Sequence, residues 1–223
     1  MYQCHVVIDL EFTPIPRRFA REREIVRHEI IQIGAIMLDE GYRKVSSFTC
    51  FVKPSLAEGV EPNVSRLTGI QDKDLESAPD LKEALARLTA WIGGDKRTRI
   101  YSWSLTDLYQ LEDECDLKDI EFPLCMYRWM DFQTVYGRLI GCHHRLKLKD
   151  AISSVDGDFF TAQAHTALYD AEVTAELLIL VKNPEEFAKR TRRIRRLFRA
   201  ERCTSTIGEK FGDQLAALFG SNA

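Results

Sequence analysis

Hydrophobic and polar positions along the chain follow the pattern of an α/β domain. Short β-branched or alternating runs predict five strands, at residues 6–10, 29–38, 47–52, 99–103 and 127–130. Apolar residues at helical spacing predict helices within residues 64–70, 72–75, 81–92, 106–115, 132–140, 148–155 and 164–181. Gly41 suits a hairpin turn between the second and third strands. We therefore expect a mixed β-sheet flanked by helices on both faces.

Two segments stand apart from this pattern. Residues 13–27 contain two prolines and five arginines and predict a polar loop, which either contacts phosphates or forms a mobile surface flap. Residues 188–202 predict an arginine-rich helix on which Ile194, Leu197 and Phe198 form a narrow apolar stripe. These features predict a main domain at residues 1–187 and a basic helical extension at residues 188–223.

The distribution of charge says more than the net charge of −3. Residues 189–223 contain nine Lys or Arg against three Asp or Glu, a net charge of +6, which leaves −9 on the other 188 residues. A basic tail is compatible with a polyanionic partner. The alternative is a solvated charged helix that packs on the main domain through its apolar stripe.

Cysteine spacing and hydropathy bear on the cellular compartment. The six cysteines form no CxxC pair and predict free thiols in a reducing cytosol. The run Cys142-His143-His144 lacks a second ligand pair at suitable spacing, so a zinc site is not favoured. The sequence begins without a basic leader and contains no stretch near the ~18 apolar residues of a membrane span. We predict a cytoplasmic protein without a membrane partner.

Four acids and one histidine are candidates for chemistry. Asp9 and Glu11 lie two residues apart at the end of an apolar strand, so their side chains share one face. Asp107 begins a helix directly after the fourth strand, and Asp170 lies five residues beyond His165 on the long helix. Taken singly, these residues are compatible with surface acids and helix caps. The prediction of a site rests on their occurrence together and in order.

Clustered carboxylates repel one another, which raises their pKa values unless a cation balances them. Oxygen ligands favour Mg²⁺ or Mn²⁺ over zinc. Two such ions are the usual arrangement for phosphodiester cleavage, and a nearby histidine can take a proton from the attacking water. The residues therefore predict a two-metal site at Asp9, Glu11, Asp107 and Asp170, with His165 as general base.

The segments that hold these residues resemble the motifs of a known family. They are VVIDLEFT at residues 6–13, YSWSLTDLYQLEDE at 101–114 and HTALYDAEVTAELL at 165–178. HEIIQIGAI at 28–36 and SRLTGI at 65–70 resemble two further family segments. The chain thus resembles the DEDDh, or DnaQ-like, 3′→5′ exonucleases, which include RNase T. The SW-x3-D form of the second motif is most similar to the Eri-type RNA exonuclease branch and its bacterial relatives.

The resemblance implies a ribonuclease H-like fold and a role for each matched residue. Asp9, Glu11 and Asp170 would hold the first metal ion, and Asp9 with Asp107 the second. His165 would activate the attacking water. Six residues would contact the 3′-terminal nucleotide: Phe12, Thr13, Leu67, Thr68, Ile70 and Trp103. Core packing is the alternative for Leu67 and Ile70, and it is favoured over a groove position for Trp103.

The resemblance also implies an activity, namely hydrolysis of single-stranded nucleic-acid 3′ ends to 5′-mononucleotides, with RNA favoured over DNA. One alternative is a DNA proofreading or repair exonuclease, which a 2′-hydroxyl contact would distinguish. The other is a catalytically silent nucleic-acid-binding regulator, which the intact set of acids disfavours. Relatives include both monomers and homodimers, so the oligomeric state stays open.

Overall fold

The central element is a five-stranded mixed sheet. A computed structural model of the protein describes residues 2–93, 97–155 and 166–199. The strand order is β3-β2-β1-β4-β5. Strand β1 pairs antiparallel with β2 and parallel with β4, while β3 and β5 form the two edges. The strands are β1 (Cys4–Pro14), β2 (His28–Asp39), β3 (Lys44–Phe51), β4 (Thr98–Ser102) and β5 (Trp129–Asp131).

Helices occupy the connections between strands, and most of them lie where the hydrophobic spacing predicts. They are α1 (Glu22–Ile25), α2 (Pro62–Thr68), α3 (Asp72–Leu75), α4 (Leu81–Ile92), α5 (Thr106–Leu117), α6 (Phe132–Ile140), α7 (Leu148–Ser153), α8 (Ala167–Val181) and α9 (Pro184–Arg190). A short 3₁₀ turn covers Leu124–Met126, and helical backbone resumes at 192–199. No helix among the described residues has both the length and the apolar character to cross a membrane.

Capping residues explain several helix boundaries. Asp80 accepts a hydrogen bond from the backbone N–H of Glu83 at the start of α4. Asp131 caps α6 in the same way, through the N–H of Thr134 at 2.9 Å. Helix α2 ends at Gly69, which has a φ of 78°. This left-handed conformation strains residues with a Cβ, which explains why the helix predicted within 64–70 ends at this glycine.

Each face of the sheet is covered by its own hydrophobic core. Val6, Ile8 and Leu10 of β1 pack with residues of α4 and α5 on one face. On the other face, Val7 packs with apolar residues of α6, α7 and α8. The predicted sandwich of helices around a mixed sheet is therefore confirmed. Because side chains alternate along a strand, the odd-numbered positions of β1 point toward α8.

The predicted polar loop at 13–27 is wrong in part. Strand β1 continues to Pro14, and α1 lies within the segment. The N–H of Ile15 donates to the carbonyl of Arg27 at 2.9 Å, so a backbone hydrogen bond joins the two ends of the segment. Ile15 and Val26 are 1% and 3% exposed. These apolar anchors, together with the hydrogen bond from Arg23 to the carbonyl of Ile15, fix the backbone path.

The prediction of one continuous basic helix at 188–202 also needs correction. Helix α9 begins earlier, at Pro184, and ends at Arg190; Thr191 breaks the helix before it resumes at 192–199, and residues 200–202 lie outside the described part. Ile194 and Phe198 pack against the core, but Leu197 is 52% exposed and does not belong to the buried stripe. The predicted domain boundary at 187/188 falls inside α9.

Candidate metal centre

Three of the predicted acids meet at one end of the sheet. Asp9, Glu11 and Asp170 each offer a carboxylate oxygen, and these oxygens lie within 4.8 Å of one another. Asp9 and Glu11 come from the α8-facing side of β1, and Asp170 comes from the first turn of α8. The period of two along the strand and the start of α8 therefore bring the three side chains together.

Strand β2 brings α8 into position. Gly34 lies opposite Asp9 in the β1–β2 pairing. A Cβ at Gly34 would stand 2.1 Å from the nitrogen of Leu168 and 2.2 Å from the carbonyl carbon of Ala167. The backbone of α8 thus rests directly on β2, where a residue without a side chain is required.

A side-chain hydrogen bond fixes the same contact. Gln32 lies opposite Glu11, and its Oε1 accepts from the N–H of Ala167 at 3.1 Å. The strand residues paired with both acids therefore hold the N-terminus of α8. The β1–β2 register shifts directly after Glu11. Such irregularities redirect side chains at the ends of strands, often beside functional sites.

Asp107, the acid of the second motif, lies beside this group of three rather than within it. It lies in the first turn of α5 and is 7% exposed. Its Oδ1 accepts a hydrogen bond from the N–H of Leu10 at 3.2 Å. Because Leu10 stands between Asp9 and Glu11, this bond joins Asp107 to the segment that holds the other acids.

Burial and mutual repulsion shift the pKa values of the cluster upward. Burial, followed by repulsion from Asp170 and Asp107, raises the pKa of Glu11 to about 8. The pKa of Asp9 lies well above its ordinary value, first through burial and then through Asp107, Asp170 and Glu11. Burial raises the pKa of Asp107 to about 7, even though the N–H of Leu10 stabilises its charged form.

This donor set fits a divalent cation. Burial and the neighbouring carboxylates raise the pKa values of Asp9 and Glu11, and neither acid forms an ion pair with a basic side chain of the described residues. Hard oxygen ligands with excess negative charge suit Mg²⁺, Mn²⁺ or a similar ion. His165, the predicted general base, lies outside the described residues, so its role stays a prediction.

The predicted substrate-binding residues differ in exposure. Leu67 on α2 is 56% exposed, and Phe12 is partly buried against the α4–α5 core. Thr13 is fully buried; its hydroxyl donates to the carbonyl of Gly59 and accepts from the N–H of Glu61. Of these three residues, Leu67 offers the most surface to a ligand.

Three further substrate candidates are buried. Thr68 donates its hydroxyl to the carbonyl of Val64, and Ile70 packs in a small core with Ile31 and Leu75. Trp103 is 7% exposed, and its Nε1–H donates to the carbonyl of Leu146 at 2.9 Å. Core packing, the favoured interpretation of Trp103, agrees with this position.

Sequence reasoning missed a buried charged network behind the site. The side chains of Glu29 and Glu114 are both 0% exposed, and both carboxylates bind Lys118, at 2.8 and 2.7 Å. Glu29 also accepts from the N–H groups of Ser55, Leu56 and Ala57. Glu29, at the start of the apolar run of β2, was the available signal, whereas Glu114 stands among other acids on α5.

Lys118 offsets part of the negative charge in this network, although burial still raises the pKa of Glu114. Burial alone would raise the pKa of Glu29, but the Lys118 ammonium and the N–H groups of Ser55 and Ala57 together lower it. Glu114 accepts from the N–H of Ile30 at 2.8 Å. The network thus ties α5, which begins with the Asp107 turn, to β2 and to the segment that leads into α2.

The cysteines give no second metal site among the described residues. Cys4, Cys50, Cys115, Cys125 and Cys142 are free, as predicted. Cys142 Sγ lies 3.5 Å from His144 Nδ1, but the three acids form the one potential metal-binding group found in the described ranges. Cys203 lies outside them.

Sequence comparisons identify similar proteins. The RNase T family model, described as Exonuclease, matches residues 6–178. ERI1 exoribonuclease 2 of Danio rerio is 28% identical over 193 residues, covering 77% of this chain and 34% of the relative. The 3′-5′ exonuclease Snipper of Drosophila melanogaster is 25% identical over 197 residues, covering 79% and 68%. The chain thus spans about a third of the zebrafish protein.

A solved structure shares the fold. The nuclease domain of 3′hExo, described as a DEDDh family member bound to rAMP, superposes with a TM-score of 0.65 at 19% sequence identity. The match covers 82% of this chain and 93% of that domain. The predicted ribonuclease H-like architecture is confirmed by this likeness.

Proposed function

The chain belongs to the exonuclease family whose model matches residues 6–178, and from that membership we propose that it is a metal-dependent 3′→5′ exonuclease. It would hydrolyse single-stranded ends and release 5′-mononucleotides. The observation that carries this proposal is the convergence of Asp9, Glu11 and Asp170, whose carboxylate oxygens lie within 4.8 Å of one another. A catalytically silent regulator would retain this repulsion without using it.

We assign the metal ligands by residue. Asp9, Glu11 and Asp170 would hold one Mg²⁺ or Mn²⁺, and Asp9 with Asp107 would hold a second. The chemistry that such ions supply when bound is activation of a water and stabilisation of the departing 3′ oxygen. Asp107 and Asp170 both lie in the first turns of their helices. The N-termini of α5 and α8 therefore add positive potential where the carboxylates and a substrate phosphate would lie.

The other proposed roles concern proton transfer and nucleotide contact. His165 would take the proton from the attacking water, because an imidazole titrates near neutral pH. Leu67 is 56% exposed and would lie against the terminal base. Phe12, which is partly buried, would contribute an edge of its ring. Thr13, Thr68 and Ile70 would act from behind this surface by fixing its backbone, whereas Trp103 packs in the core on the α8 side of the sheet.

RNA is the favoured substrate. The supporting observations are the SW-x3-D form of the second motif and the 28% identity to a protein named as an exoribonuclease. A contact to the ribose 2′-hydroxyl would discriminate RNA from DNA. The DNA exonuclease alternative differs in this contact and not in the metal chemistry.

The test uses matched RNA and DNA oligonucleotides labelled at either end. We expect 5′-labelled RNA to shorten in single-nucleotide steps and 3′-labelled RNA to release labelled mononucleotide at once, with Mg²⁺ or Mn²⁺ and not with EDTA. Asp9→Asn should reduce kcat by about 10³-fold or more, equivalent to about 4 kcal/mol. The exposed acid Glu40 provides the control, Glu40→Gln.

Several outcomes would contradict the proposal. Undiminished cleavage by the Asp9→Asn variant would exclude the assigned site, and internal cleavage would exclude an exonuclease. Faster hydrolysis of DNA than of RNA would establish the DNA alternative instead.

We also propose a reducing, cytoplasmic location, supported by the five free cysteines of the described part. Cell fractionation tests it. Light scattering on the purified chain distinguishes a monomer from a homodimer. The division into an exonuclease domain and a basic extension remains a proposal as well.

A further inference from the structure

The basic helix at 192–199 has two chemically different faces. Ile194 and Phe198, one turn apart, pack against the core on the α8 side of the sheet. The opposite face carries arginines at helical spacing that line one groove together with Ala188: Arg192, Arg195, Arg196 and Arg199. The helix is therefore anchored by its apolar side and presents a row of guanidinium groups to solvent.

Within the described ranges, no carboxylate pairs with these arginines and offsets their charge. No carboxylate within the described ranges lies within 4.0 Å of the four groove arginines. In contrast, Glu186 pairs with Lys189 and Arg190 in the preceding helix. Four unpaired like charges on one helix face repel each other, which a bound polyanion would relieve.

The helix is linked to the same end of the sheet as the acids. Phe198 contacts the ring of His144 with centroids 6.0 Å apart. Leu146 lies two residues after His144, and its carbonyl accepts a hydrogen bond from Trp103 Nε1–H at 2.9 Å. Trp103 directly follows β4, which runs parallel to β1, and stands four residues before Asp107.

Further basic residues lie in the connecting segment. His143, His144, Arg145 and Lys147 are exposed on the loop between α6 and α7. The groove arginines and this loop share the sheet face onto which Asp9 and Glu11 project. The loop also meets the carboxyl end of β4, where Leu146 accepts the hydrogen bond from Trp103.

We propose that the groove of Arg192, Arg195, Arg196 and Arg199 binds the sugar–phosphate backbone of a single-stranded nucleic acid upstream of the 3′ end being hydrolysed. This inference rests on the proposed exonuclease function. Residues 192 to 199 extend about 10 Å along the helix axis, enough for two or three phosphates. The exonuclease site would act on the terminal nucleotide while the groove holds the strand.

An anionic membrane is the competing partner for an arginine-rich helix. Membrane-surface helices bury an apolar face in the lipid. Here Ile194 and Phe198 already pack on the protein core, which leaves Leu197 as the exposed large apolar side chain of this helix. The available surface therefore fits a phosphate chain better than a bilayer.

The test neutralises the groove in the full chain by Arg192→Gln, Arg195→Gln, Arg196→Gln and Arg199→Gln together. Substitution is preferable to deletion, because deletion would also remove Ile194 and Phe198 from the core. RNA binding is measured by fluorescence anisotropy in EDTA with a 20-nucleotide strand. We expect at least tenfold weaker binding near 0.1 M salt and a salt dependence shallower by roughly 2–3 in log–log slope.

Kinetics and a matched control complete the test. KM for long RNA should rise at least tenfold with little change in kcat, while hydrolysis of a small thymidine phosphodiester stays within twofold. Arg193 is exposed on the same helix but does not line the groove, so Arg193→Gln should have a smaller effect than Arg196→Gln. Thermal unfolding of the variants should match the wild type, since these arginines form no ion pair among the described residues.

Unchanged RNA affinity and salt slope in the fourfold variant would overturn the proposal. Equal effects of Arg193→Gln and Arg196→Gln would also overturn it, because they would indicate net charge rather than a groove. Tighter binding to phosphatidylglycerol vesicles than to RNA would assign the surface to a membrane. Failure of the wild type to hydrolyse any substrate would reject the exonuclease function alone, since the anisotropy measurement requires no turnover.

Discussion

The backbone N–H of Leu10 donates a hydrogen bond to Oδ1 of Asp107 at 3.2 Å. Leu10 points its side chain into the core on one face of the sheet, while its two neighbours, Asp9 and Glu11, project from the other. The bond therefore fixes the acid of the second motif against the strand of the first motif. It connects positions 97 residues apart in the sequence.

Asp107→Asn should separate the structural role of this residue from its chemical role. Asparagine keeps an oxygen that can accept from Leu10, so thermal stability should change little or rise, because a buried charge is removed. Turnover should fall by about 10²-fold or more through the lost metal ligand. The exposed acid Asp113 on the same helix gives the control Asp113→Asn, which should retain activity. Normal turnover by Asp107→Asn would remove this residue from the site.

Gly34→Ala should displace α8 and with it Asp170. The new Cβ would stand 2.1 Å from Leu168 N and 2.2 Å from the Ala167 carbonyl carbon, both backbone atoms that cannot rotate away. We expect a loss of about 2 kcal/mol or more in the free energy of unfolding, as for overpacked cores. Mn²⁺ affinity, measured by calorimetry, should fall as well.

The matched control is Gly137→Ala within α6. There the nearest atom to a new Cβ is the Cys142 carbonyl oxygen at 3.6 Å, an ordinary contact. Alanine favours the helix by about 0.5–1 kcal/mol. A Gly34→Ala protein with wild-type stability and Mn²⁺ affinity would contradict the direct contact of β2 and α8.

Lys118→Met should destabilise the fold, because it leaves two buried carboxylates without their cation. Glu29 and Glu114 are 0% exposed and would lose their shared cation. Breaking a buried ion pair from one side costs about 3–5 kcal/mol. Urea unfolding in EDTA measures the loss, and the exposed Lys82→Met is the control. A change below about 1 kcal/mol would show that the network adds little to stability.

The metal-free protein should lose stability as pH rises. The pKa of Glu11 is raised from 4.5 to about 8 in the folded state. Below pH 4.5 the Glu11 carboxyl is protonated in both the folded and the unfolded chain and does not lower stability. Between about pH 4.5 and 8 it ionises first in the unfolded chain, so the free energy of unfolding falls over this range. Added Mg²⁺ should restore stability most strongly at the alkaline end.

Glu11→Gln isolates this effect. In EDTA the variant should raise Tm by about 3 °C or more at pH 9 and leave it nearly unchanged at pH 4. Differential scanning calorimetry in matched buffers gives the comparison. A variant that is less stable than wild type at pH 9 would indicate that Glu11 is held by a favourable interaction rather than by repulsion.

The sequence by itself determined most of the elements and the position of Asp9 and Glu11 on one strand face. Local signals are sufficient there: a period of two places Asp9 and Glu11 on one face, Asp131 marks the start of α6, and Gly69 marks the end of α2. The mixed sheet follows from the same alternation and turn residues. Local composition misled at 13–27 and 188–202, where a few buried or partly buried side chains anchor segments that also carry many arginines.

The tertiary structure alone decided how the parts meet. Three contacts join segments that are distant in the chain. Gly34 lies against the backbone of Leu168, Asp107 accepts a hydrogen bond from Leu10, and Glu29 and Glu114 share Lys118. The periodicity of the sequence does not predict such pairs, because each depends on the register of the strands and on the position at which a helix crosses the sheet. The position of the groove arginines on the same face as the acids has the same origin: it depends on where Ile194 and Phe198 anchor the final helix.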